Sequence, residues 1–348
     1  MQLQQRINSI VQLGKVMSAI GAKKPWVDFT LGITAEEYHA LQELIKTVRH
    51  HNGWFTEKEI LFSFQSWGEA FTEDNLKKWL SNYTITKDLT KSVAIIMAGN
   101  IPMVGFHDLL CVYLLGGKVK AKLSSDDNVL IPAIIKTLSL FDDEVSKKIE
   151  FIPFKLEGFD AVIATGSNNT ARYFETYFGK YPNIIRKNRT SVAVLNGTET
   201  PEELKKLADD VFLYYGLGCR NVTKLFLPKN YDLNLIFGAF FEHIYVAENN
   251  KYANNYDYHK AVYLMEQEDM LENGFLLMKQ DDSLHSPIGM LFYDYYDKEE
   301  NIENYLKTNA AEIQCVVAQN KIAFGESQKP KLWDYADNID VIDFLLKL

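Results

Sequence analysis

From Lys91 onward, short apolar segments alternate with helical ones, and this alternation limits the fold more than any other feature of the chain. Ser92-Val-Ala-Ile-Ile-Met97, Val119-Lys-Ala-Lys-Leu123, Ile149-Glu-Phe-Ile-Pro-Phe154, Ala161-Val-Ile-Ala164 and Ser191-Val-Ala-Val-Leu195 are of strand length. Between them lie helical stretches over Phe106 to Leu115, stopped by Gly116-Gly117, then Val129 to Leu140 and Thr170 to Phe178. Such a succession defines an α/β domain built on a mostly parallel sheet.

Residues 1–90 read differently. Leu3, Ile7, Ile10, Leu13, Met17 and Ile20 recur at helical spacing, as do Tyr38, Leu41, Leu44 and Ile45 after a Thr34-Ala-Glu-Glu start. The region carries Trp26, Trp54, Trp67 and Trp79 but no grouping of chemical side chains, and is expected to be a cap or an oligomer surface. Beyond Pro228, helices are expected over Leu233 to His243, His259 to Leu271 and Glu299 to Ile313. Strands are expected near Phe275 to Met278, Ile288 to Tyr293 and Gln314 to Ala318. The tail, Trp333 to Leu348, reads as one amphipathic helix.

With 348 residues, 47% of them hydrophobic, the chain can bury the cores of two domains. Its net charge of -9 argues against a generally basic nucleic-acid surface. No apolar run reaches membrane-span length, and Met-Gln-Leu-Gln-Gln-Arg does not begin a signal peptide, so a cytoplasmic location is expected. Three cysteines, at 111, 219 and 315, are odd in number and lack metal-ligand spacing. Neither a disulfide framework nor a metal site is expected.

The cysteines separate by context. Cys111 and Cys315 sit in apolar segments and read as core fillers. Cys219 lies in Tyr214-Tyr-Gly-Leu-Gly-Cys219-Arg-Asn-Val, between a glycine-rich bend and a strand-like run, with Arg220 beside it. It is either a nucleophile beside a fixed cation or a cysteine in a tight turn. A helix over 202–215 points its negative end at this residue, which works against a thiolate. Asn100, just after the first strand in Ala98-Gly-Asn-Ile-Pro102, is a turn residue or projects from the carboxyl edge where α/β sheets bind ligands. Lys122 ends a strand at that edge, before Ser124 and Ser125, and is either solvated or a ribose or phosphate ligand. Gly166 and Ser167 open a helix after a strand, a moderately specific anion-binding pattern. No Gly-x-Gly-x-x-Gly follows a strand.

Taken in order, Ala-Gly-Asn-Ile-Pro, Lys-Leu-Ser-Ser-Asp-Asp, Ala-Thr-Gly-Ser, Asn-Arg-Thr-Ser-Val-Ala-Val-Leu and Gly-Leu-Gly-Cys-Arg resemble the long-chain acyl-CoA reductases (LuxC family) of the aldehyde dehydrogenase superfamily, over about residues 90 to 230. The resemblance implies an α/β, aldehyde dehydrogenase-like fold. Residues 1–90 would be a helical N-terminal region, 91–197 a Rossmann-like cofactor lobe, 198–330 a catalytic lobe and 331–348 a tail helix. It implies that Cys219 accepts the acyl group and that Asn100 helps a backbone N–H hold the oxyanion. Lys122 would contact the adenosine ribose, Ser124 and Ser125 would belong to the same cofactor site, and Gly166 and Ser167 would lie beside the pyrophosphate.

In superfamily members that prefer NAD, a glutamate commonly lies three residues after the lysine; here Ser125 stands there, which leaves room for a 2'-phosphate and favours NADPH, with NADH possible. The general-base glutamate of hydrolytic members is absent from Ile185-Arg-Lys-Asn-Arg189, so a thioester on Cys219 would persist until reduced. The implied function is reduction of acyl-CoA to aldehyde with release of CoA, by a homo-oligomer. The alternatives are an acyl carrier or transfer protein that does not reduce, and a reductase of acyl phosphates of the γ-glutamyl phosphate type. Glu242 and His243 are further candidates, each with a solvated or structural role as the alternative.

Overall fold

The computed structural model describes residues 2–348, which divide into two compact units, 2–187 with 331–348, and 188–330.

The first unit begins with four helices, α1 (Gln2–Gly21), α2 (Ala35–Thr47), α3 (Glu57–Ala70) and α4 (Glu73–Leu80). Their starts are encoded locally. Thr34 caps α2 in a reciprocal box, its hydroxyl accepting from the Glu37 amide while the Glu37 carboxylate accepts from the Thr34 amide at 2.8 Å. The periodic residues Ile7, Ile10, Leu13, Met17 and Ile20 form the buried face of α1. They share one apolar core with Leu109, Leu110, Val112, Ile131 and Ile134 of the α/β part, so the helical region and the sheet form one packed body.

That sheet contains β1 (Ser92–Ile96), β2 (Lys118–Lys122), β3 (Ile149–Phe151), β4 (Ala161–Thr165) and β5 (Asn183–Arg186) in the order β3-β2-β1-β4-β5, all parallel. The crossovers hold α5 (Phe106–Leu114), α6 (Leu130–Leu138), α7 (Val145–Lys148) and α8 (Asn168–Phe178). Val93, Ala94 and Ile95 are all buried because helices cover both faces, which is why β1 reads as an unbroken apolar run. The strand order reverses between β1 and β4. At such a switch point the loops leaving the carboxyl ends diverge and open a crevice.

The second unit contains β6 (Thr190–Val194), α9 (Pro201–Phe212), β7 (Val222–Pro228), α10 (Leu233–Phe240), α11 (Asn250–Glu266), β8 (Leu271–Glu272), β9 (Leu277–Gln280), β10 (Met290–Tyr296), α12 (Glu299–Thr308) and β11 (Ile313–Val317). Its six strands run β11-β6-β7-β10-β9-β8, parallel except for the short β8. The strand over 190–194 therefore belongs to the second sheet, whereas the sequence reading grouped it with the first lobe. The chain ends in the first unit with α13 (Val341–Leu346).

Four expected helices are clearly shorter or displaced, among them α12, which ends at Thr308 while Ile313 already begins β11. The tail is not one helix from Trp333, because Asp337 and Asn338 take left-handed φ of 59° and 56° and break it before Asp340 caps α13. The helix before Cys219 ends at Phe212, with Tyr214 and Tyr215 left-handed beyond it. α11 starts at Asn250, capped by the Asn249 side chain, well before His259. Among the described residues no helix is long and apolar enough to cross a membrane.

Candidate active site

In the first unit, the residues selected from sequence collect at one edge of the sheet. Asn100 is exposed in the loop after β1, Lys122 is the half-buried last residue of β2, and Gly166 and Ser167 follow β4, the strand on the other side of β1. The β1 and β2 loops touch closely: a Cβ on Gly99 would lie 2.8 Å from both the Cβ and the Oγ of Ser124. Ser124 Oγ accepts from the Asp126 amide at 3.2 Å and caps a 3-10 turn over Ser125–Asp127, leaving Ser125 exposed. Asp127 is buried and accepts from the Met103 amide at 2.8 Å, tying the Asn100 loop to the Ser124–Ser125 loop a second time. Burial pushes its carboxyl up to about 6. The sequence reading assigned Asp127 no role of its own.

Ser167 is the N-cap of α8, its hydroxyl accepting from the Thr170 amide at 3.2 Å. Gly166 is closely packed as well. A Cβ there would meet Phe174 Cε2 at 3.0 Å and Thr170 Cβ at 3.1 Å, so a side chain at this position would crowd α8 against its own loop. As a donor set, the Lys122 ammonium, the exposed Ser125 hydroxyl and the first turn of α8 suit a dinucleotide's phosphates and ribose.

The stretch 185–189 is occupied structurally. Arg186 is buried and forks onto Asp108 with bonds of 2.5 and 2.9 Å, and Lys187 pairs with Glu175 at 3.0 Å. In the second unit Arg189 donates to the Ala310 and Ile313 carbonyls.

In the second unit, Cys219 is exposed, Cys315 half-buried and, in the first, Cys111 buried. Cys219 lies in the segment joining α9 to β7, where Tyr214, Tyr215 and Gly216 have φ of 53°, 57° and 79°. Two consecutive left-handed tyrosines cost roughly 1–2 kcal/mol each. Asn221, fully buried, holds this shape: its Oδ1 accepts from the Gly218 amide at 2.8 Å and its Nδ2 faces the carbonyls of Asp210, Val211 and Leu213 at 3.3, 3.1 and 2.8 Å. Those carbonyls belong to the end of α9, so one carboxamide satisfies the helix terminus and fixes the turn before the thiol. Its signal in the sequence was faint, a single asparagine two residues after the cysteine.

Arg220 donates to the Ser327 carbonyl at 3.3 Å. The amides of Ser327 and Gly325 donate in turn to buried Asp210, at 2.9 and 2.6 Å. Cys315 is not a plain core filler, since its sulfur lies 3.0 Å from Ser191 Oγ, which also donates to the Cys219 carbonyl at 3.0 Å. Glu242 pairs with Lys205 at 3.0 Å and His243 with Asp209 at 2.9 Å, so both engage α9. Among the described residues no cluster of three or more His, Cys, Asp or Glu suits a metal ion.

These two α/β units, with their helical N-terminal region, define the aldehyde dehydrogenase-like fold. An oxidoreductase from Marinobacter aquaeolei superposes with a TM-score of 0.64 at 11% identity, over 91% of this chain and 74% of that one. Aldehyde dehydrogenase 21 from Physcomitrella patens, solved with succinate, gives 0.62 at 11% identity over 97% and 84%. The NAD+ complex of an aldehyde dehydrogenase from Bacillus cereus gives 0.59 at 13% over 92% and 72%. No protein-family model and no curated protein matches the sequence. Identities this low carry the fold alone.

Proposed function

We propose that the chain is an NADPH-dependent acyl-CoA reductase in which Cys219 carries the acyl group as a thioester. The observation that carries this reading is the state of that thiol. It is the exposed one of the three cysteines, on a bend held in a left-handed conformation by buried Asn221. Strain retained next to an exposed sulfur is a feature of reactive sites more than of ordinary turns. In the proposed reaction the Cys219 sulfur attacks the acyl carbonyl and CoA leaves as its thiolate, which needs no strong acid. Asn100 is assigned, by resemblance, to the carbonyl oxygen. Lys122 and Ser125 would hold the adenosine ribose and its 2'-phosphate, and the first turn of α8 at Ser167 the pyrophosphate. The cofactor, when bound, supplies the hydride that takes the thioester to the aldehyde level. The absence of a glutamate from 185–189, where Arg186 is committed to Asp108, supports reduction over hydrolysis.

The test is to mix the protein with acyl-CoA and NADPH and follow free CoA and NADPH together, with NADH as a parallel arm. The proposal expects one CoA released per NADPH consumed and faster turnover with NADPH than with NADH. CoA release without NADPH oxidation would instead identify a carrier. Oxidation only with an acyl phosphate would identify the other reductase class.

A further inference from the structure

From the outward face of α11 we infer that the chain forms a two-fold dimer in which α11 packs antiparallel against α11 of a second copy. The helix is apolar on two opposite sides. Its inward side carries Tyr252 and Tyr256, both buried, and Tyr263, which packs in one cluster with Tyr256, Leu277, Met290 and Phe292. Polar contacts fix that side too: Tyr252 Oη donates to the Phe275 carbonyl at 3.0 Å, and Lys260 pairs with Glu272 at 2.6 Å. Positions 252, 256, 260 and 263 follow helical spacing, so they set which way the rest of α11 faces.

Half a turn away, Tyr258, Ala261, Val262 and Met265 recur at i, i+3, i+4 and i+7. Tyr258 is 64% and Met265 76% exposed, Ala261 is exposed and Val262 half-buried. Scattered apolar side chains are ordinary on a protein surface. A stripe at the helical period, opposite the helix's own buried side, marks a docking surface instead.

The stripe itself selects the occupant. Its large residues lie at the two ends and its smaller ones at the centre, so it has the same form read in either direction. A two-fold axis between Ala261 and Val262 brings Tyr258 of one copy onto Met265 of the other, an aromatic–sulfur contact, and lets the backbones approach at Ala261. Charge points the same way. α11 has no acid in its first turn and no base in its last; Lys251 stands near its start, Glu266 at its end and Asp269 just beyond. This order opposes the helix dipole, which favours anions at the start and cations at the end. In an antiparallel pair Lys251 of each copy meets the end of the other that carries Glu266 and Asp269. The exposed acids Asp257, Glu266 and Asp269 also disfavour an anionic lipid surface as the occupant. One helix pair is a small interface, and a dissociation constant of order 1–100 μM is expected.

Neither CoA nor nicotinamide enters the test, so its outcome is independent of the reductase reading. Sedimentation of the full chain is followed at low salt over roughly 1–200 μM. The expected result is a monomer–dimer equilibrium that Met265→Lys weakens about tenfold or more, with an unchanged melting temperature because that side chain is exposed. Lys251→Glu and Glu266→Lys should each weaken the dimer, and their equimolar mixture should restore association, since every cross-copy contact then pairs opposite charges. The inference is overturned if the unaltered chain stays monomeric throughout, or if Met265→Lys dimerises as tightly as the unaltered chain. It is equally overturned if the mixed charge variants associate no better than either alone. Co-sedimentation of a monomeric chain with phosphatidylcholine vesicles would overturn it in favour of a lipid surface.

Discussion

Asn221 Oδ1 accepts the amide of Gly218 at 2.8 Å, one residue before the exposed thiol of Cys219. The other side of the same carboxamide faces three carbonyls from Asp210 to Leu213, so a single buried side chain joins the end of α9 to the cysteine turn. Asn221→Ala removes all of these bonds and leaves buried backbone groups without partners. Urea unfolding should show a loss of roughly 3–5 kcal/mol. A loss below about 1 kcal/mol would mean that the turn holds its shape without Asn221.

Burial pushes the Asp127 carboxyl up to about 6, against an ordinary value of 3.8. The folded protein therefore holds this proton more tightly than the unfolded chain. Its contribution to stability is fully present below the ordinary value and is lost as pH rises through about 6. Asp127→Asn retains an acceptor for the Met103 amide but cannot ionise. Urea midpoints of the unaltered chain should fall more steeply than those of the variant between pH 4 and pH 7, with a difference of order 1–3 kcal/mol. Asp210, also pushed up to about 6 by burial, adds a slope of the same sign to both proteins. Parallel pH profiles would contradict the assignment.

Much of the first unit was legible because local signals and the global fold agree there. Thr34 and Glu37 announce α2, and the unbroken apolar run at Ser92 announces a strand covered on both faces. The loop residues Asn100, Lys122 and Ser167 could be placed at one sheet edge because each directly ends or follows a strand. What could not be read depends on contacts distant in sequence or on backbone conformations that side chains do not encode. Asp337 and Asn338 break the tail helix through left-handed φ values, and the strand over 190–194 joins the second sheet by pairing with β7 and β11. Cys315 looked like core filler because its tie to Ser191 spans 124 positions.

The three thiols should alkylate in a fixed order. Cys219 is exposed, Cys315 half-buried and Cys111 fully buried. Peptide mapping after a time course with iodoacetamide should show Cys219 modified first, Cys315 more slowly and Cys111 only once denaturant is added. Early labelling of Cys111 would contradict the packing of α5.

The tail is held to the first unit by hydroxyl contacts as well as apolar ones. Tyr335 Oη accepts from Trp79 Nε1 at 2.7 Å and shares a 2.7 Å bond with the Tyr83 hydroxyl, which also donates to Asp340 at 2.7 Å. Tyr335→Phe keeps the ring but strands the buried indole N–H. A loss of about 1–3 kcal/mol in urea unfolding is expected, and no change would show that the tail is held by packing alone.

The central claim is that an acyl group resides on the Cys219 sulfur. Intact mass measured after acyl-CoA is added without nicotinamide tests it directly. The account predicts one acyl adduct, mapped to the peptide containing Cys219, absent from Cys219→Ala and discharged as aldehyde when NADPH is added. No adduct, or an adduct that persists in Cys219→Ala, would contradict it.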